Sequence, residues 1–238
     1  MDKKLIIIPT YNEKENIEKM LRVLFSFKEN YDVLVIDDGS PDGTADIVKE
    51  LQKQFSKKLF LIERKGKQGL GTAYITAFKW ALGKEYDYIF EMDADFSHDP
   101  QDLVRLYRAC TQDGADVAIG SRYCKGVNVV NWPMKRVLMS WGASKYVRFM
   151  LNVPINDCTA GFVCYRRRVL EKMDLDNIGM KGYGFQIEMK YKAYRLGFEI
   201  KEVSVIFRDR TEGTSKMSSS IFGEAFWGVM KLRFTKTL

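Results

Sequence analysis

The chain opens on a short apolar run, Leu5 to Ile8, and then changes period. The run predicts a buried strand stopped by Pro9. From Glu13 to Phe25 the apolar residues Ile17, Met20, Leu21, Leu24 and Phe25 recur at helical spacing. Asp32 to Ile36 predicts a second strand, and Ser40-Pro41-Asp42-Gly43-Thr44 a turn into a helix through Leu51. Lys58 to Ile62 reads as a third strand, Gly71 to Leu82 as a helix, and Tyr88 to Met92 as a fourth strand. Gln101 opens another helical pattern, and Asp116 to Ile119 gives a fifth strand. Alternating strands and helices imply an α/β fold with a mostly parallel sheet and right-handed crossovers.

The second half is less regular. Met134 to Leu151 predicts a helix, Phe162 to Tyr165 a strand, Gln186 to Arg195 a helix and Glu199 to Phe207 a strand. There is no internal repeat, low-complexity block or linker, so a single domain is expected. A chain of 238 residues is long enough to bury its core.

Composition narrows the function classes. No apolar run is long enough to predict a transmembrane helix. Met1-Asp2-Lys3-Lys4 leads straight into a strand, so no secretory signal is expected. Cys110, Cys124, Cys158 and Cys164 lack metal-type spacing and read as cytosolic free thiols. His98 is the sole histidine, which disfavours a histidine-built zinc site, and a Ser-His-Asp triad unless His98 serves. The net charge of +7 favours anionic partners: nucleotides, nucleic acid or an acidic membrane surface. Nucleic acid is set aside, because no zinc finger, RNA-recognition signature or basic arm is present.

The candidate chemistry gathers at strand ends. Asp93-Ala94-Asp95 follows the fourth strand, where open α/β sheets keep their ligand crevice. Its carboxylates are hard ligands suited to Mg²⁺ or Mn²⁺ carrying phosphates, although the same residues also fit a solvated turn. Asp37-Asp38-Gly39-Ser40 closes the second strand, with acceptors for a ribose or base. At the first junction, Thr10 or Asn12 is the expected helix cap. Gly66, Gly69 and Gly71 form a permissive loop beside Lys65 and Lys67. Neither a dinucleotide-binding glycine fingerprint nor a P-loop occurs.

Together these segments resemble one family. Ile8-Pro9-Thr10-Tyr11-Asn12-Glu13, Asp37 to Thr44, Gly69-Leu70-Gly71, Met92 to His98 and Gly120-Ser121-Arg122-Tyr123 are similar to the inverting GT-A glycosyltransferases of family 2. The polyprenol-phosphate mannosyltransferase branch is the nearest likeness. Asp157 to Phe162, Lys181 to Glu188 and Phe207 to Lys216 agree in order and spacing. The resemblance implies a GT-A domain over residues 1–217 and a C-terminal amphipathic helix over 218–238.

It also implies roles. Pro9, Tyr11, Glu13, Ile36 and Asp38 would line the nucleoside pocket, with Asp93 and Ala94 beside the nucleotide. Asp93, Asp95 and Ser97 would face Mg²⁺ or Mn²⁺; some relatives carry Gln in place of Ser97. Arg122, Lys181, Arg210 and Lys216 would surround the diphosphate and the acceptor phosphate. Asp95, Arg122, Arg210 and Lys216 are therefore the catalytic candidates. The implied reaction transfers mannose from GDP-mannose to a polyprenyl monophosphate. That acceptor is already anionic at neutral pH, so no general base is required.

Two stretches point to a membrane surface. Arg136 to Leu151 alternates Val137, Leu138, Trp141, Val147 and Met150 with Arg136, Lys145 and Arg148. Near the C-terminus Ile221, Phe222, Ala225, Phe226 and Val229 share a helical face, followed by Lys231, Arg233 and Lys236. Either segment fits a helix covering the core equally well. Many relatives continue into transmembrane helices where this chain stops. The expectation is a cytoplasmic enzyme, peripheral on the membrane or tied to a separate membrane-anchoring partner. Two other readings stay open: transfer from UDP-glucose or another UDP-sugar, and a non-catalytic nucleotide- or membrane-binding module.

Overall fold

The computed structural model describes residues 2–180, 182, 184–209 and 219–234, with the backbone alone for 219–222, 224 and 225. In chain order the elements are β1 (Lys4–Thr10), α1 (Lys14–Ser26), β2 (Tyr31–Asp37), α2 (Thr44–Gln54), β3 (Leu59–Glu63), α3 (Leu70–Leu82), β4 (Tyr88–Glu91), α4 (Asp102–Thr111), β5 (Val117–Ser121), β6 (Val129–Val130), α5 (Met134–Leu151), β7 (Val163–Arg166), α6 (Arg167–Lys172), α7 (Gly184–Arg195), β8 (Ile200–Ser204), β9 (Phe207–Arg208) and α8 (Ser219–Phe234).

Among the described residues, seven strands form one sheet in the order β3-β2-β1-β4-β7-β5-β8. Only β7 runs antiparallel to its neighbours. Alternation along each strand builds a core on both faces. Leu5 and Ile7 of β1 join Leu34 and Ile36 of β2 under α3, α5 and α7. Ile6 and Ile8 join Val33 and Val35 under α1, α2 and α4. From β1 the chain builds outward through β2 and β3, then crosses back to lay β4 on the other side. The crevice at that reversal receives the residues after β1 and β4.

Pro9 does not stop β1, which runs on to Thr10 opposite Asp37. In a strand, alternate residues aim their amides at opposite neighbours, and Ile7 faces β4 by accepting from Met92 N–H. Pro9 faces the same way, but the β4 pairing ends at Ile7, so no ladder bond is lost. Helix α1 is not capped by Thr10 or Asn12. Its leading amides reach the next loop instead: Asn12 N–H to Ser40 Oγ at 3.0 Å, Glu13 N–H to Thr44 Oγ1 at 3.0 Å and Lys14 N–H to Asp42 Oδ2 at 3.1 Å. The single strand expected from Glu199 to Phe207 divides. Ile200–Ser204 completes the large sheet, and β9 pairs with β6 in a separate ribbon.

Neither membrane candidate is a clean two-faced helix. In α5, Val147 and Leu151 are buried, whereas Leu138 is 59% and Phe149 83% exposed. In α8, Val229 is fully buried and Trp227 is 71% exposed. Helix α8 packs on α5 and α7, and the boundary expected at residue 217 lies outside the described residues. No described helix is long and apolar enough to cross a membrane.

Candidate active site

A cleft of about 710 Å³ opens at the strand reversal. One end is built from the ends of β1 and β2. Pro9, Tyr11, Glu13 and Asp38 all line the cleft. Arg64 donates through Nε to Asp38 Oδ1 at 2.6 Å, and Gln68 N–H reaches Asp38 Oδ2 at 3.3 Å. Arg64 also donates to Thr72 Oγ1 at 2.8 Å, tying β2 to the first turn of α3. The turn after Asp38 requires glycine: Gly39 has φ of +68°, and a Cβ there would lie 2.9 Å from the Gly66 nitrogen. Lys67 stands over the Tyr11 ring at 5.3 Å. Ile36 does not line the cleft. It is fully buried in the core, because its strand position points it at α3.

Asp93, Ala94, Asp95 and Ser97 line the middle of the cleft. Asp95 Oδ1 accepts from Ser97 N–H at 3.0 Å, and Phe96 between them takes the left-handed conformation, φ 58°. Among the described residues no group of three or more His, Cys, Asp or Glu could hold a metal ion. Two hard carboxylates at the cleft fit a divalent cation whose remaining ligands are phosphate oxygens and water. His98 is buried beside them, stacked on Phe162 at 4.8 Å and edge-on to Phe207 at 5.2 Å. Burial pushes its imidazole down to about 4, with Asp95 and Arg122 pulling in opposite directions. At neutral pH it is an uncharged packing ring.

Arg122 also lines the cleft. Its Nε donates to Asp157 Oδ2 at 2.7 Å, and its Nη2 to Asp157 Oδ1 at 2.6 Å and Thr159 Oγ1 at 2.8 Å. Trp132 and Phe207 stand 5.7 and 5.6 Å from the guanidinium carbon. Burial opposes charge on both partners, but their mutual attraction outweighs it: Asp157 stays below its usual range and Arg122 above. Of the other expected phosphate cations, Lys181, Arg210 and Lys216 lie outside the described residues.

The far end is walled by α5 and α8. Met139, Ala143 and Tyr146 line it with Phe226 and Val229. Tyr146 and Phe226 stack at 5.1 Å, bracing the two helices. Arg136 lies above the Trp132 ring at 4.0 Å and pairs with Asp209 at 2.8 Å.

Several site residues escaped the sequence reading. Arg64 and Arg136 carry no spacing that separates them from surface cations. Asp157 and Gln186 stood inside recognised segments without a role. Glu91 did leave a signal, as a lone carboxylate in an otherwise apolar strand.

The glycosyl transferase family 2 pattern matches residues 5–174. The chain is 45% identical over 230 residues to the polyprenol monophosphomannose synthase of Mycolicibacterium smegmatis, covering 94% of this chain and 86% of that one. It is 45% identical over 227 residues to the undecaprenyl-phosphate mannosyltransferase of Micrococcus luteus, covering 95% and 92%. Among solved structures, a mannosyltransferase from Pyrobaculum calidifontis in complex with GDP-Man and Mn²⁺ superposes with a TM-score of 0.62 at 17% identity, over 96% of this chain and 64% of that one. Glucosyl-3-phosphoglycerate synthase from Mycobacterium tuberculosis, with Mn²⁺, UDP and product, gives 0.69 at 16% identity, over 98% and 80%. These two likenesses show the GT-A fold. With the family pattern across most of its length and two relatives at 45% identity, the chain belongs to glycosyl transferase family 2.

Proposed function

We propose that this protein transfers mannose from GDP-mannose to a polyprenyl monophosphate, inverting the anomeric centre to give a β-linked lipid phosphosugar. The observation that carries the reading is the cleft itself. A nucleoside end, a carboxylate pair and an aromatic-walled cation follow one another and open onto an apolar end. The names of the two relatives at 45% identity support the donor sugar and the acceptor class.

Each part of the cleft has a task. Pro9, Tyr11 and Asp38 bind the nucleoside, with Asp38 held by Arg64. Asp93 and Asp95, with Ser97 behind them, would hold Mg²⁺ or Mn²⁺ on the donor diphosphate. When bound, that ion supplies positive charge for the departing phosphate. Arg122 sits where phosphate oxygens approach, fixed by Asp157 and Thr159. Lys181, Arg210 and Lys216 complete the cation set in this reading.

A phosphate oxygen of the acceptor attacks C1 of the sugar. The bond from C1 to the GDP oxygen breaks, and the electron pair leaves with GDP. No proton needs to be removed, so the reaction calls for no general base. Catalysis then reduces to placing two anions in line and stabilising the leaving diphosphate.

The lipid tail would leave by the α5–α8 end. Leu138, Phe149, Trp227 and Phe234 are exposed there, with Lys145, Arg148, Lys231 and Arg233 on the same helices. Interfacial aromatics among cations fit a peripheral attachment to an anionic cytoplasmic leaflet, directly or beside a membrane-anchoring partner.

The test is a transfer assay with labelled GDP-mannose, UDP-glucose and other sugar nucleotides, a short polyprenyl phosphate, and Mg²⁺ or Mn²⁺. Mannosyl lipid from GDP-mannose is expected. Preferential use of a UDP-sugar would replace the donor assignment, and nucleotide binding without turnover would make the protein a binding module.

A further inference from the structure

Glu91, Lys190, Asp157 and Arg122 are ionisable side chains buried at or beside the cleft. Of these, only Arg122 lines it. Taking a charge out of water costs several kcal/mol unless partners compensate. Here the partners form a continuous path. Lys190 Nζ donates to the Ala160 carbonyl at 2.7 Å, the Gln186 carbonyl at 3.2 Å and Gln186 Oε1 at 3.0 Å. All three of its protons are used. Gln186 Nε2 donates to Glu91 Oε2 at 2.7 Å. The Gln186 amide is thus oriented from both ends, its oxygen accepting from Lys190 and its nitrogen donating to Glu91.

The two ends of this path reach two parts of the site. Glu91 closes β4, two residues before Asp93. Ala160 adjoins Thr159, which accepts from Arg122 at 2.8 Å. From behind, Glu202 accepts from Asn156 N–H and Asp157 N–H, both at 2.9 Å, holding the segment that grips Arg122. Burial pushes the Lys190 ammonium down and the Glu91 carboxyl up, while the charge of each favours ionisation of the other.

We propose that Lys190 and Gln186 are positioning residues for glycosyl transfer, fixing the Asp93–Asp95 segment that follows β4 relative to the Thr159–Arg122 contact. The inference rests on the glycosyl-transfer reading of this cleft. Lys190 does not line the cleft and acts through Gln186 and Ala160. Phosphates held a fraction of an ångström out of line react slowly even where the nucleotide is bound well. The base pocket at Tyr11 and Asp38 belongs to other strand ends, so affinity for the nucleoside alone, without metal, does not depend on this path.

A purely structural ion network behaves differently. Removing both charges together restores stability, because a buried pair exchanged for neutral groups is often neutral or better. It would restore turnover too. The test compares wild type with Lys190→Met, the double variant Glu91→Gln/Lys190→Met, and Thr159→Val. Thermal midpoint, guanosine affinity in metal-free buffer by calorimetry, and kcat are read for each. Lys190→Met is expected to lower the midpoint, and the double variant to recover most of that loss. In the double variant guanosine affinity should stay within about threefold of wild type while kcat falls at least about tenfold. Thr159→Val, which removes the hydroxyl that accepts from Arg122 and donates to Asp157 Oδ1 at 3.3 Å, should lose about three- to tenfold in kcat.

Wild-type kcat in the folded double variant overturns the proposal. So does a loss of guanosine affinity as large as the loss of kcat. If the double variant does not fold, Thr159→Val decides alone, and wild-type kcat there overturns it. Failure of the wild-type protein to use GDP-mannose would instead count against the function proposed above. The ratio of variant to wild type with whichever sugar nucleotide is turned over still decides the positioning role.

Discussion

Arg122 holds Asp157 by a two-point contact, Nε to Oδ2 at 2.7 Å and Nη2 to Oδ1 at 2.6 Å, and adds its own backbone N–H at 3.0 Å. The carboxylate is completely buried, while the guanidinium borders the cleft. Asp157 therefore fixes the direction and charge of a cation that faces the substrate. A lysine in place of Arg122 could reproduce the charge but not the fork.

Asp157→Asn should destabilise the protein by about 3–5 kcal/mol, since it leaves a buried guanidinium without its counter-charge. Denaturant titration measures this. The Asp157 carboxyl is held below its ordinary value of 3.8, against the pull of burial, by Arg122. A depressed carboxyl contributes its full stability above the unfolded value and loses it as pH falls through the folded one. The stability gap between wild type and Asp157→Asn should thus be constant from neutral pH down to about 5 and shrink below about 4. A gap that shrinks near neutral pH would contradict the assignment.

Asp95→Ala should abolish transfer and metal-dependent GDP binding without unfolding the protein. Asp93→Asn should weaken donor binding as well. Circular dichroism and calorimetry with and without Mn²⁺ separate these effects. Full activity of Asp95→Ala in chelator-treated buffer would remove the metal role.

Arg64→Met should act on donor affinity. It frees Asp38 and unties the glycine loop from α3, so GDP should bind about tenfold more weakly, from the loss of a charge-assisted hydrogen bond. The kcat at saturating donor should change much less. An unchanged Kd for GDP would show that Arg64 only braces the fold.

Arg210→Ala and Lys216→Ala should each reduce kcat more than nucleoside affinity, because their expected contacts are to phosphates. Arg210→Lys should restore activity only in part if that contact is bidentate. Wild-type kinetics in both alanine variants would assign these residues to the solvated surface.

Point variants are the sharper test of membrane attachment. Deleting 218–238 would also strip Val229 from the core, so vesicle binding and stability would be lost together. Trp227→Glu and Phe149→Glu alter exposed side chains and leave Val229 in place. Both should weaken sedimentation with anionic vesicles and transfer to long polyprenyl phosphates, while GDP affinity stays unchanged. Each nearby cation contributes about 1 kcal/mol, so binding should also weaken with salt.

The alternating strand and helix periods determined the α/β layering by themselves, because period is a local property of the chain. Asp93-Ala94-Asp95 and Asp37-Asp38-Gly39 were legible as strand-end carboxylates for the same reason, and the chain segments that resemble the family supplied their order. Local pattern did not reveal that β7 enters antiparallel, that the stretch ending at Phe207 divides between two sheets, or that Pro9 continues its strand. Each depends on which neighbour a backbone amide faces, and that is fixed only when strands from distant parts of the chain pair. Ile36 looks like a pocket residue by position and is core by side-chain direction. The partners of the site's charges were hidden most completely. Arg64 meets Asp38, Arg122 meets Asp157 and Lys190 meets the Ala160 carbonyl across gaps of 26, 35 and 30 residues. Sequence spacing carries no information at that range, whereas burial leaves each charge only the partners that the fold brings within hydrogen-bond reach.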